Sequence, residues 1–279
     1  MARLGEIAPE PGSPPRRTRR SPVRSVSRAA EATSPKAVPD WHSRVLERSL
    51  GPASDKALRQ GRDLIAAAGR LMRRLDPDEM TMQSIAAEAR VSVRVLYRHF
   101  EGKNDLLIAL IEESQIVLAR LLHERTADVD DALERLGEAL YFASDPRHHS
   151  DPQYNRALAR FTAQTWVSDP DRVGSAHRPV FVVISRLVAD AVEAGQLEAG
   201  DPDIAASNIY MSYRFHQMNR YIGNALGGPL PSPRQFVRYC LLGLGAQLPE
   251  GWEDRLGRDT QSRTRSGSEK AAKQESLTP

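Results

Sequence analysis

The chain has 279 residues, of which 40% are hydrophobic, and a formal net charge of +3, enough for one or two domains with real cores. No stretch reaches the roughly 18 uninterrupted apolar residues of a membrane-spanning helix. The opening "MARLGEIAPEPGSPPRR" has no apolar signal core, and the lone Cys240 excludes an internal disulfide. The expectation is a cytoplasmic protein with no membrane partner. Of its 39 basic residues 34 are arginine, a bias that suits a nucleic-acid partner and equally suits GC-rich coding.

Residues 1–50 hold seven prolines and no sustained periodicity, and are expected to form a disordered arm. Within it "RRTRRSPVRSVSR" carries six arginines and no acid. Arg16, Arg17, Arg19 and Arg20 read either as a solvated tail or as an arm reaching DNA phosphates or a minor groove. Ser54 or Asp55 then caps a first helix with Leu58, Ile65, Ala68, Met72 and Leu75 on one stripe, ending at "DPDE". Thr81 caps a short second helix, Ser92 a third running through Phe100, and a long fourth runs from Lys103 to about His123. Further helical patterns follow at 130–143, 152–166, 176–194, 203–222 and 232–247, separated by Pro- and Gly-rich breaks. From residue 250 the chain reads as a polar, disordered tail.

No alternating β-branched run appears, so the class is all-α with about nine helices. The expected division is 51–102 and 103–249 between the two tails.

Residues 81–100 have the spacing of a helix-turn-helix. On the third helix Leu96 and Phe100 bury one face with Ile85, Ala86 and Val91, which leaves Arg94, Tyr97 and Arg98 as an outward stripe. Guanidinium groups on a short exposed helix suit guanine edges in a major groove, and hydroxyls suit phosphates. Val93 and Val95 cannot both be buried with Leu96, so at least one is free to meet a thymine methyl. The helix starts at Thr81, Ser92 and Lys103 offer unpaired N–H groups to phosphate.

"TMQSIAAEARVSVRVLYRHFEGKNDLL", preceded by a helix of about twenty residues, resembles the DNA-binding domain of the TetR family of transcriptional regulators. The resemblance rests on the "T-x-x-x-IA-x-EA-x-VS" and "LYRHF-x-x-K-x-x-LL" halves. It implies a homodimer whose third helices enter successive major grooves of a pseudo-palindromic DNA operator, roughly 34–36 Å apart. It also implies that Thr81, Tyr97, His99 and Lys103 contact phosphates or lie near them, with Val93, Arg94 and Val95 at bases. The chain departs from the family's usual glycine at 90, its small residue or proline at 94, and its Thr, Ser or Ala at 95. Arg90 must therefore adopt a left-handed conformation, or the turn must differ.

The resemblance further implies a C-terminal effector-binding and dimerisation domain, with the last two helices (203–222 and 232–247) building a four-helix dimer bundle. Tyr141, Phe142, Phe161, Trp166, Phe181, Tyr210, Tyr213 and His216 are the candidate lining of an effector pocket, though each also reads as plain core. Their mix suits an apolar or amphipathic small molecule. His148–His149 lacks ligand spacing on a helix, so no metal is expected. No P-loop, dinucleotide glycine fingerprint or nucleophile motif is present, and neither enzyme activity nor a cofactor is expected. The reading is a sequence-specific DNA-binding transcriptional regulator, a repressor, tuned by a small-molecule effector. The alternative is an architectural DNA-binding protein without effector, relying on the arginine arm.

Overall fold

Apolar periodicity and helix caps divide the chain into ten α-helices and no strand among the described residues. The computed structural model describes residues 40–48, 54–148, 151–198, 200–224 and 227–257. The Arg16–Arg20 arm and residues beyond 257 lie outside them. The helices are α1 (Asp40–Arg48), α2 (Ser54–Met72), α3 (Met82–Glu88), α4 (Val93–His99), α5 (Lys103–Thr126), α6 (Ala132–Ser144), α7 (Pro152–Ser168), α8 (Pro170–Glu193), α9 (Pro202–Ile222) and α10 (Pro233–Leu242). No helix among the described residues is long and apolar enough to cross a membrane.

Three of these differ from the sequence reading. The region expected to be a disordered arm contains α1, whose Trp41 and Val45, four apart, are buried against the N-terminal core. The start of α8 lies six residues before the expected position 176. There "SDP" is a cap rather than a break, because Asp169 Oδ1 accepts from Arg172 N and Pro170 takes the first turn, where its missing N–H costs nothing. The last helix stops at Leu242, short of 247, where the chain turns through Gly245 in a left-handed conformation (φ 79°). The expected tail is also partly ordered. Trp252 and Leu256 are buried on α6 over Gly137, where even a Cβ would come within 2.5 Å of the Trp252 ring.

Two cores result. The N-terminal one gathers residues of α1–α4 with the first half of α5 (Leu106–Ile111), and it also takes in Ala157 and Phe161 of α7 and Ala176 of α8. The expected boundary at 102 therefore cuts through a continuous apolar cluster rather than between two. The second core joins Leu122 at the end of α5 to α6, α8, α9 and α10. The helix α5 thus belongs to both. Buried Asp105 near its start pairs with Arg44 of α1 (3.5 Å) and bonds to Arg172 of α8, so the base of α5 is held from both sides.

The turn between α3 and α4 answers the question posed by Arg90. Its φ is 57°, and it stands alone among non-glycine described residues in having positive φ. Arg90 N donates to Ala87 O (3.1 Å) and Val91 N to Ala86 O (3.0 Å), the paired bonds that close a helix through a left-handed residue. A side chain there costs about 1–2 kcal/mol that glycine does not incur. Arg90→Gly is expected to raise folding stability by about 1 kcal/mol, measured as a shift of the chemical-denaturation midpoint. An unchanged or lowered midpoint would mean that the exposed Arg90 side chain makes up for its backbone strain.

Candidate nucleic-acid interface and ligand cleft

Thr81 opens α3 through a reciprocal cap: Thr81 Oγ1 accepts from Ser84 N (3.0 Å) and Ser84 Oγ accepts from Thr81 N (2.9 Å). Ser92 occupies the cap position of α4, but its side chain makes no capping bond. Leu96 and Phe100 anchor α4 in the N-terminal core, and this anchoring turns Arg94, Tyr97 and Arg98 outward. Tyr97 is 53% exposed. Val93 leans on the core while Val95 is half-exposed.

Two residues grouped with this face are positioned otherwise. His99 is 1% exposed, and its Nε2 meets Gln60 Oε1 of α2 at 2.9 Å. The α-helical period places it on the same inward side as Leu96, so its ring packs as a core group. Lys103 directs its ammonium to the Pro77 carbonyl (2.8 Å), stapling the start of α5 to the loop after α2. Arg98 Nη2 also donates to Gln60 Oε1 (2.9 Å). Arg94 therefore carries the least constrained guanidinium of the stripe.

On the other side of α2 and α5 lies a cleft of about 840 Å³, within the range of small-molecule sites. Ala66, Gly69 and Arg70 of α2, with Arg73 just after it, form one wall, and α5, α7 and α9 contribute most of the rest. Of the eight expected lining residues, Phe142, Trp166 and Tyr213 face it. The others serve packing. Tyr141 holds Arg147 (2.6 Å), and Phe161 is in the N-terminal core. Phe181 meets Tyr210 edge-on at 5.5 Å, and His216 stacks on Phe236 at 4.6 Å. The sequence reading missed His177, Tyr154, Phe215 and Gln115, all of which line the cleft.

Arg70 belongs to the cleft and to the helix-turn-helix at once. Its Nε donates to Glu88 Oε1 of α3 (2.8 Å), while Arg74 Nη2 donates to Glu88 Oε2 (2.6 Å). These bonds hold the Glu88 carboxyl below its usual pKa.

Four histidines are kept neutral by burial first and a nearby arginine second: His42 by Arg62, His99 by Arg98, His177 by Arg214 and His216 by Arg220. His216 is lowered to about 4 and His177 well below the ordinary value. In the unfolded chain all four take up protons near pH 6.5, so below that pH the unfolded state binds more protons than the folded one. Their contribution is complete above pH 6.5 and is lost as pH falls toward the folded values. The thermal midpoint is expected to drop steadily between about pH 7 and 4.5, followed by circular dichroism. A flat profile would show that the four rings are solvated.

Residues 64–110 match the family model for bacterial regulatory proteins of the tetR family. No curated protein matches the chain. Among solved structures it is similar to RolR in complex with resorcinol, at 20% identity and a TM-score of 0.57, covering 74% of this chain and 97% of RolR. It is also similar to FadR of Bacillus halodurans, a fatty acid degradation regulator (16% identity, TM-score 0.56, 71% of this chain and 100% of that one). FadR of Bacillus subtilis in complex with stearoyl-CoA matches at 16% identity and a TM-score of 0.55, covering 65% of this chain and 97% of its own. At these identities the likeness establishes the fold alone.

Proposed function

We propose, from the match of residues 64–110 to the tetR family of bacterial regulatory proteins, that the chain is a member of that family and a homodimeric, ligand-responsive transcriptional repressor. Its α4 reads a pseudo-palindromic operator, with Arg94 and Val95 at base edges and Thr81, Tyr97 and Arg98 at phosphates. Ser92 and Val93 stand at the end of α4 nearest the groove. Repression needs only that a bound dimer occupy the promoter.

The observation that carries this reading is the shared use of α2 and α5. Both pack into the helix-turn-helix core, and both line the cleft. A ligand that favours one arrangement of these helices therefore biases the placement of α4. RolR and FadR of B. subtilis, which share the fold, hold resorcinol and stearoyl-CoA, which supports the cleft as an effector site. Dimerisation is supported by apolar side chains left exposed outside the cleft, Ile204 and Ile222 of α9 with Tyr239 (75% exposed) and Leu242 of α10.

The purified full chain should shift a fragment of its own upstream region at low salt and protect a discrete footprint. Absence of a shift at low salt overturns the reading. Continuous coating of the fragment, without a footprint, would favour the architectural alternative.

A further inference from the structure

The cleft is mostly apolar, but part of its wall is polar. His177 is 3% exposed, lines the cleft, and has no hydrogen-bond partner for either ring nitrogen among the described residues. Gln115 Oε1, buried on α5 and also lining the cleft, is likewise unpartnered. Buried polar atoms are ordinarily satisfied, and each one left unsatisfied costs stability. No described residue uses this ring's nitrogens. Tyr210 donates to the His177 backbone carbonyl (3.3 Å), and the Trp166 ring lies 6.3 Å away. The imidazole is thus held beside the cleft with neither nitrogen taken by a partner among the described residues.

We infer that the cleft takes an amphipathic molecule bearing a hydroxyl on an aromatic or aliphatic body, and that His177 is the residue that selects the hydroxyl. The inference rests on the proposal that the cleft is the effector site.

A buried, neutral imidazole offers one N–H donor and one lone pair. Burial and the neighbouring Arg214 both disfavour the protonated ring. The two nitrogens point away from each other, so one ligand group meets only one of them, and a hydroxyl fits whichever is presented, donating to the lone pair or accepting from the N–H. An alcohol or phenol does both, whereas an ether or a carboxylate only accepts and an ammonium only donates. Gln115 Oε1 can accept a second hydroxyl proton elsewhere on the wall. Phe142, Tyr154, Trp166 and Phe215 supply aromatic faces for the apolar body, and Met211 and Met218 adaptable ones.

The test is calorimetric titration of the full chain with three matched probes: 4-butylphenol, 4-butylanisole and 4-butylbenzoate. The phenol is expected to bind at least about tenfold tighter than the anisole, the size of one good buried hydrogen bond. In His177→Phe that preference is expected to fall to about one, while the anisole binds as before. His177→Asn, which keeps a donor and an acceptor, is expected to restore part of the preference. Because His177→Phe removes two unsatisfied polar atoms, its ligand-free thermal midpoint is expected to equal or exceed that of the parent chain, so misfolding cannot mimic the result. Equal binding of phenol and anisole by the parent chain, or preference for the benzoate, overturns the hydroxyl assignment and leaves the cleft a ligand site. Failure of all three probes to bind overturns the inference together with the cleft's role. Operator binding, read separately by fragment shift, is untouched by either result.

Discussion

Trp41→Ala is expected to lower the folding stability of the full chain by about 3–5 kcal/mol, the range for emptying a large buried aromatic site. The indole is 0% exposed and lies over Gly61 of α2, where an added Cβ would sit 2.7 Å from the ring. Its Nε1 donates to Glu113 Oε1 (2.7 Å) and its backbone N to Glu112 Oε2 (3.3 Å), both on α5. Removing the ring leaves a cavity between α2 and α5 and frees a carboxylate that the indole N–H had satisfied. Trp41→Phe, which keeps most of the volume and loses the N–H, is expected to cost less than half as much. Guanidinium denaturation measures both. A Trp41→Ala variant within about 1 kcal/mol of the parent chain would mean that α1 adds nothing to the fold.

Arg94→Ala is expected to weaken operator binding by about tenfold to a hundredfold while leaving binding to random-sequence DNA nearly unchanged. The reasoning is comparative. Arg98 spends one guanidinium nitrogen on Gln60, and Lys103 spends its ammonium on Pro77, whereas Arg94 projects from the exposed face of α4. Arg98→Ala should instead weaken both kinds of DNA alike and flatten the salt dependence. Competition between the footprinted site and a scrambled fragment separates the two behaviours. If Arg94→Ala weakens both fragments equally, Arg94 contacts phosphate and the sequence is read elsewhere.

The helix-turn-helix was legible from the sequence because its signals are local. The Thr81–Ser84 cap, the Leu96–Phe100 spacing and a turn that demands positive φ are all set by residues within a few positions of one another. His99 escaped that logic, since only its position three residues after Leu96, checked against the helical period, shows that it turns inward. The helix α1 went unread because Pro39 and Pro52 dominate the composition around a nine-residue helix whose described buried apolar side chains are Trp41 and Val45. The cleft was the least legible part. Aromatic residue type does not separate Trp166, which faces the cleft, from Phe161, which faces a core, because that depends on how helices distant in sequence cross. His177 did leave a signal: it lies on the stripe of Val173, Val180 and Ile184, all buried on α8, as a polar residue on an apolar face.

The 24 residues of α5 make a rod about 36 Å long, at about 1.5 Å per residue. One end is gripped in the N-terminal core, and the stretch from Glu113 to Leu121 borders the cleft. Rotating such a rod by about 5° carries its far end through about 3 Å, close to the roughly 3.4 Å rise of one base step. If the chain acts as proposed, a ligand that shifts α5 by no more than a side-chain adjustment would put α4 out of register with DNA by a whole base pair. Sensitivity to the ligand then depends on the length and stiffness of one helix rather than on any large rearrangement of the fold.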